Sequence, residues 1–307
     1  RRIMLLECGH IYSDPIHSAF IELQDLFPYL CIKRLGGLTP ATENQKKLAL
    51  AAADVFVSLA DNIQETFGLS VIEAMSASLP TIVSDWNGYK DLVENGVSGF
   101  LIPTEMVVDE SGHHDHIDSN YALGTMSYDV MVGLRSMTTI VSHHALYRSL
   151  KLFLEFPDLS FQMGHLSRLR WKYFFSWQTV HQQYLQLWNE LALLRRHHSD
   201  LSVDSIIPTP LFPSFSNYPS RAFNVFSIVR SDVDNCLPFS ILRLKMHSSF
   251  VSTLMVDRVD HIISRFEQNS RLDIDDLLSL GIPQSHLQST LSVFVKLGLA
   301  IVEKRLA

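Results

Sequence analysis

In the first third of the chain, short apolar runs alternate with segments in which apolar residues recur at helical spacing. The apolar runs cover residues 3–6, 29–35, 54–59 and 80–84. Between them, Pro15–Asp25 and Thr39–Ala53 have the pattern of amphipathic helices. Strands that alternate with helices are typical of βαβ units and a parallel sheet. The pattern therefore predicts an α/β fold.

The pattern changes further along the chain. Residues 121–196 have helical spacing, and residues 201–244 interleave prolines with aromatic residues, which predicts an extended linker that wraps a surface. Residues 245–307 return to helical spacing. We therefore expect an α/β domain with carboxyl-terminal helices over 1–200, the linker over 201–244 and a small helical module over 245–307.

The end of the chain resembles a winged-helix unit, because a helix ending near Lys296 precedes a β-rich run. Winged helices often bind DNA, but Asp273, Asp275 and Asp276 give this module negative charge, whereas phosphate contacts need Lys or Arg. The net charge of the chain is −7, which also argues against a general nucleic-acid binder. We expect a module that contacts another protein or packs against the rest of the chain, and we expect no nucleic-acid partner.

The composition indicates a folded protein, since 47% of the 307 residues are hydrophobic and 19% are charged. Cys8, Cys31 and Cys236 are too few and too far apart for a disulfide framework or a zinc signature, which suits a reducing compartment. No apolar run approaches the length of about 18 residues that predicts a transmembrane helix, and no signal-peptide pattern opens the chain. We expect a cytoplasmic protein, with peripheral membrane contact as an alternative.

The chemistry is concentrated after the apolar run 54–59, where a polar loop leads into a predicted helix that opens at Phe67-Gly68. Glu65 precedes this helix, and Glu73 lies about two turns inside it. Thr66, Phe67, Gly68 and Leu69 would carry the first unpaired backbone N–H groups, which attract anions. Such a site suits a molecule that joins a sugar, a diphosphate and a ribose, with Glu65 on the sugar and Glu73 on the ribose. The alternative is an ordinary capped helix with two solvated carboxylates.

The stretch Glu65–Met75, with the sequence ETFGLSVIEAM, resembles the paired-glutamate motif of the retaining glycosyltransferases of family 4. Ala52-Ala53-Asp54 before it and Asn95–Pro103 after it agree, so that the resemblance runs from about Gly36 to Thr104 and continues more weakly to about Arg196. It implies the carboxyl-terminal, Rossmann-like half of a two-domain GT-B enzyme. It further implies that Glu65 acts at the reacting centre. The remaining donor-binding residues are then Thr66, Phe67, Gly68, Leu69, Ser70 and Glu73.

The resemblance implies sugar transfer from a nucleotide-sugar donor with retention at the anomeric carbon, to a glycan, lipid or small-molecule acceptor that the sequence does not define. No cofactor and no metal are expected. His113, His114, Asp115 and His116 are metal-ligand types, but without further ligands at set spacing they predict a solvated loop. The alternatives are a nucleotide-sugar-binding module without turnover and a GT-B-like nucleotide-sugar epimerase.

Four further details of the sequence lead to expectations. The chain begins at Arg1, almost inside a strand, so we expect a fragment that lacks an amino-terminal GT-B domain and is inactive by itself. Ser78 stands where the family usually has glycine, so the helix is expected to end differently. Asn87-Gly88 suits a turn with positive φ. Trp86 and Tyr89 are expected to pack beneath this loop, with stacking on a ligand as the alternative.

Overall fold

Parallel strands joined by helices form the amino-terminal part of the protein, which confirms the expected α/β class. The computed structural model describes residues 3–107, 116–197, 215, 217–223, 227–229, 237, 239–243, 259–269 and 271–303. His113, His114 and Asp115 of the histidine-rich run therefore lie outside the described residues.

The elements up to residue 107 are β1 (Met4–His10), α1 (Asp14–Leu26), β2 (Cys31–Gly37), α2 (Glu43–Ala52), β3 (Phe56–Ser58), α3 (Leu69–Ser76), β4 (Thr81–Ser84), α4 (Tyr89–Leu92), β5 (Gly99–Ile102) and β6 (Thr104–Val107). The later elements are α5 (His116–Ala122), α6 (Tyr128–Met137), β7 (Thr139–Val141), α7 (His143–Glu155), α8 (Pro157–Arg170), α9 (Trp177–His197), β8 (Arg221–Phe223), β9 (Ser227–Val229), α10 (Val259–Gln268), β10 (Arg271–Asp273), α11 (Ile274–Leu278), α12 (Gln284–Lys296) and β11 (Ile301–Glu303). A π-helical turn, Trp171–Phe175, joins α8 to α9.

Within the described residues, the strands form separate hydrogen-bonded sheets. β1 pairs in parallel with β2, and β3, β4 and β5 form a parallel sheet in that order. A mixed sheet has the order β7-β6-β8, and an antiparallel sheet has the order β10-β9-β11. The carboxyl ends of β3 and β4 lie side by side, which places the loops that follow them next to each other.

The residues after 200 contribute to the same core as the α/β part. β8 pairs in parallel with β6, and one buried cluster contains Ile63 and Trp86 together with Leu291 and Phe294 of α12. The helical tail that we expected is present as α10, α11 and α12, with a small antiparallel sheet beside it. The division at 200 and 244 stays a prediction, but the segments on either side of it are in contact.

The end of α3 differs from the expectation for Ser78. Ser78 adopts a left-handed conformation with φ of 65°, so the serine takes the backbone geometry that glycine usually supplies. The Ser78 N–H donates to the Met75 carbonyl and the Leu79 N–H to the Ala74 carbonyl, both at 3.1 Å. These two bonds form a Schellman motif. The expectation of a different helix end was therefore wrong, because the two hydrogen bonds hold the serine in this strained conformation.

The long helix α9 keeps many large apolar side chains exposed, among them Tyr184, Leu187, Trp188 and Leu191. From residue 177 to residue 196, no residue of α9 is buried. No helix among the described residues is both long and apolar enough to cross a membrane.

Candidate functional site

The loop between β3 and α3 carries Glu65, and the side chain of Asn62 fixes its shape. The Asn62 Oδ1 accepts the backbone N–H groups of Gln64 and Glu65, each at 3.0 Å. The Trp86 indole N–H, from the loop after β4, donates to the Asn62 carbonyl at 2.9 Å. These bonds place Glu65 at the junction of the two loops that follow the carboxyl ends of β3 and β4.

The carboxylate of Glu65 is half-buried and accepts two long hydrogen bonds within the protein. The Phe67 N–H donates to it at 3.3 Å, and the Tyr89 phenol donates at 3.4 Å. The Asn87 side-chain amide donates a hydrogen bond to the Glu65 backbone carbonyl at 3.0 Å. Because an ionised carboxylate has about four acceptor positions, Glu65 keeps the capacity to accept hydroxyl groups from a ligand.

Tyr89 is buried and joins Glu65 to the end of β3. Its phenolic oxygen lies 2.9 Å from the Ser58 hydroxyl. Burial raises the pKa of the Tyr89 phenol, and the negative charge of Glu65 raises it further. The phenol therefore stays protonated at neutral pH and remains a donor to Glu65. Trp86 and Tyr89 are 0% and 1% exposed, which confirms that they pack beneath the loop.

Two glycines let the loops approach each other closely. Gly68 has a φ of 96°, and a Cβ there would lie 2.3 Å from the Tyr89 ring. A Cβ at Gly88 would lie 2.1 Å from the Thr66 carbonyl oxygen. The positive φ that we expected from Asn87-Gly88 occurs at Asn87, where φ is 37°. The absence of a side chain at Gly68 therefore makes room for the Tyr89 ring. The sequence had suggested that it makes room for a ligand.

The helix α3 begins at Leu69 with Gly68 as its N-cap, slightly later than predicted. The N–H groups of Leu69 and Ser70 lie in the first turn, where an α-helix provides no carbonyl partner. Thr66, Phe67, Leu69 and Ser70 are exposed, so this end of the helix faces solvent. These four predicted donor-binding residues therefore lie together on an accessible surface, whereas Gly68 between them is buried.

Glu73 lies on α3 and forms an ion pair with Lys46 of α2. The Lys46 Nζ lies 2.8 Å from the Glu73 Oε1, and both side chains are partly exposed. The hydrogen bond to Glu73 is the main reason that the pKa of Lys46 is raised, while partial desolvation opposes it. A capping box formed by Thr42 and Gln45 begins α2 and fixes the turn that carries Lys46. The carboxylate of Glu73 is thus oriented before any ligand binds.

Residues 38–113 match the family model of Glycosyl transferases group 1. This range is about a quarter of the chain and contains Glu65, Glu73 and Lys46. It overlaps almost all of the region, Gly36 to Thr104, in which the sequence resembles retaining glycosyltransferases.

Named relatives also match only a short segment of this chain. A sucrose synthase of Melioribacter roseus is 32% identical over 71 residues, which are 23% of this chain and 9% of that protein. Sucrose synthase 2 of Pisum sativum is 50% identical over 38 residues, which are 12% of this chain and 5% of that protein. The matched segments are therefore a small part of each relative's length.

Solved structures show a partial likeness. A sucrose-phosphate synthase from Thermosynechococcus elongatus superposes with a TM-score of 0.42 at 19% identity, over 63% of this chain and 39% of that protein.

The described residues contain no group of three or more His, Cys, Asp or Glu side chains that could hold a metal ion. His116 begins α5, and the rest of the histidine-rich run lies outside the described part of the chain. The predicted absence of a metal at the donor site stays a prediction.

Sequence reasoning missed Lys46 as a neighbour of Glu73. Lys46 lies on a separate helix, so its approach depends on how α2 and α3 pack. The available signal was the cationic pair Lys46-Lys47 on the helix that precedes the motif strand. Sequence reasoning also missed that Tyr89, although buried, donates to Glu65.

Proposed function

We propose that this chain is the donor-binding part of a retaining glycosyltransferase of family 4, which transfers a sugar from a nucleotide-sugar to an acceptor hydroxyl. The observation that carries this proposal is the arrangement of Glu65 and Glu73 about the start of α3. Each carboxylate is oriented by a donor from another element, Tyr89 for Glu65 and Lys46 for Glu73. The match of residues 38–113 to group 1 glycosyltransferases supports the same assignment.

The exposed start of α3 is suited to the diphosphate. The N–H groups of Leu69 and Ser70 and the positive end of the helix dipole attract anionic oxygens. Glu73, held by Lys46, then accepts the ribose hydroxyls. Glu65 accepts hydroxyls of the donor sugar, since it is the carboxylate that lies before the helix.

In the proposed reaction the bond from the anomeric carbon to the diphosphate oxygen breaks, and a bond to the acceptor oxygen forms on the same face. The acceptor proton leaves with the diphosphate. Positive charge develops at the anomeric carbon, and a fixed carboxylate nearby stabilises that charge more in the transition state than in the ground state. We assign this electrostatic role to Glu65, without a divalent metal.

The proposal includes a longer protein. An amino-terminal GT-B domain would bind the acceptor and complete the site, and this chain alone would be inactive. Because the chain spans only a small part of its relatives, the acceptor and the sugar stay undefined. We place the whole protein in the cytoplasm.

The test uses the protein expressed from its complete gene, with a panel of nucleotide-sugars and candidate acceptors. Mass spectrometry of the products is expected to show an acceptor that has gained one sugar and the release of a nucleoside diphosphate. Binding of nucleotide-sugars without any transfer or release would contradict an enzymatic role. Failure of every nucleotide-sugar and nucleoside diphosphate to bind would contradict the site itself.

A further inference from the structure

Residues after position 200 contact both loops of the candidate site, the loop after β3 and the loop after β4. Asp61, which precedes Asn62 in the Glu65 loop, is only 16% exposed at its side chain and forms an ion pair with Lys296 of α12. The Ser136 hydroxyl also donates to the Asp61 carboxylate, at 2.6 Å. Lys296 donates further to the Thr139 carbonyl at 2.9 Å. The ammonium group is thus shared between the site loop and β7.

The Asp61 contact is directly connected to the geometry of Glu65. The next residue, Asn62, accepts the Glu65 N–H, and the following residue, Ile63, is 5% exposed and belongs to the same buried cluster as Leu291 and Phe294 of α12. The helix α12 is therefore connected to the loop in two ways, through the ion pair of Lys296 with Asp61 and through the buried cluster that contains Ile63. A change at Lys296 acts on the first of these.

A second segment after 200 holds the loop that carries Tyr89. The Asn87 N–H donates to the Tyr218 carbonyl at 3.0 Å, and the Tyr218 ring packs edge-on against Trp86 with centroids 5.7 Å apart. The Lys90 ammonium donates to the carbonyls of Asn217 and Pro219, each at 2.9 Å. Both partners of the Glu65–Tyr89 contact are thus fixed from the carboxyl-terminal part of the chain.

We propose that Lys296 is a positioning residue for sugar transfer, acting through Asp61 on the loop that carries Glu65. This inference rests on the proposed function of the site. Loss of the ammonium group leaves the Asp61 carboxylate poorly solvated and without its cationic partner. The loop then relaxes away from the geometry in which Glu65 faces the anomeric carbon. The Glu73–Lys46 end of the site lies on other elements and keeps its geometry.

The inference predicts different effects on turnover and on nucleotide binding. The variant K296M is expected to lower kcat by about tenfold or more, while the Kd for a nucleoside diphosphate (UDP, ADP or GDP, whichever binds most tightly) changes by less than about twofold. K296R keeps the charge and is expected to retain most of the activity. K151M removes an exposed lysine that pairs with Glu155 on α7, and serves as the matched control with unchanged kcat.

A double variant separates positioning from general destabilisation. If Lys296 acts through Glu65, then K296M lowers kcat much less in an E65Q background than in the wild type, because the residue that it positions has already lost its role. Thermal unfolding of each variant, measured beside the binding assay, shows which proteins remain folded.

The outcomes distinguish this inference from the proposed function. An active wild type with an unaffected K296M overturns the inference, as does an equal loss of kcat in both backgrounds. A joint loss of kcat, diphosphate affinity and thermal stability indicates a structural role and also overturns it. A wild-type protein that neither binds nor turns over a nucleotide-sugar contradicts the proposed function itself.

Discussion

Lys46 and Glu73 lie on successive helices, and the Lys46 Nζ contacts the Glu73 carboxylate at 2.8 Å. Glu43 is a second, more distant partner of the same ammonium group, at 3.6 Å. Both carboxylates raise the pKa of Lys46, with the hydrogen bond to Glu73 as the largest cause. The ion pair orients the Glu73 carboxylate, which we assign to the ribose. Because Glu43 contacts the same ammonium group, substitutions of Glu73 and of Glu43 can be compared directly.

The variant E73A is expected to weaken binding of a nucleoside diphosphate by about 1.5–3 kcal/mol, since a charged hydrogen bond to the ribose is lost. Calorimetric titration measures this change. E43A is the matched control, because it removes the other partner of Lys46 and leaves the proposed ribose contact in place. Equal affinity of E73A and wild type would remove Glu73 from the site.

The variant Y89F keeps the buried ring but removes the donor to Glu65 and the contact with Ser58. Because the folded pKa of Tyr89 is raised above the unfolded value of about 10, its contribution to stability is complete below that pH and is lost as the pH rises through the folded pKa. Wild-type unfolding should therefore become easier above about pH 10 by a component that Y89F lacks. Thermal unfolding of both proteins from about pH 8 to about pH 11 measures this, and identical pH profiles would contradict the burial of the phenol.

The variant S78G is expected to raise the free energy of unfolding by about 0.5–1 kcal/mol. Glycine avoids the strain of the left-handed conformation at φ of 65°. The free energy gained in this way exceeds the free-energy cost of the larger entropy that glycine gives the unfolded chain. A77G is the control. Ala77 has an ordinary φ of −86°, so glycine there relieves no strain and only adds its entropic cost. Denaturant unfolding compares the two, and a loss of stability in S78G would mean that the serine side chain contributes more than its strain costs.

Sugar transfer is expected to continue in the presence of excess chelator. The residues between Glu65 and Glu73 include no carboxylate that could hold a divalent ion at the diphosphate, whereas the start of α3 provides N–H groups for it. An activity assay of the protein from the complete gene, with and without EDTA, measures this. Activity that disappears and returns with magnesium or manganese would overturn the metal-independent mechanism.

Local pattern was sufficient to predict the strands and helices around the motif. Apolar runs and helical spacing predicted the elements β3, α3 and β4, and the buried positions of Trp86 and Tyr89 beneath the loop followed from their aromatic character. The residue type at Ser78 misled the expectation for the end of α3. Propensity disfavours serine in a left-handed conformation, but two backbone hydrogen bonds impose it.

Contacts between distant parts of the chain could not be predicted from the sequence. Lys296 reaches Asp61 because α12 packs against α6, β6 and β7 and shares a buried cluster with Ile63, and no local pattern near either residue indicates the pair. Residues 217–223 were expected to lie in an extended linker that wraps a surface, but the sequence did not indicate their partners. They contribute β8, which pairs with β6, and the carbonyls that accept hydrogen bonds from Asn87 and Lys90. Such contacts depend on tertiary packing, and the periodicity of apolar residues in a single sequence does not show which distant residues will meet.

The central claim, that Glu65 serves retaining sugar transfer, is tested most directly by proton NMR of the reaction product. The protein from the complete gene is incubated with its nucleotide-sugar and acceptor, and the anomeric signals are followed for wild type and E65Q. We predict a product with the anomeric configuration of the donor, formed at least about a hundredfold more slowly by E65Q although it still binds the nucleoside diphosphate. A product of inverted configuration, or an E65Q variant as fast as the wild type, would contradict the account.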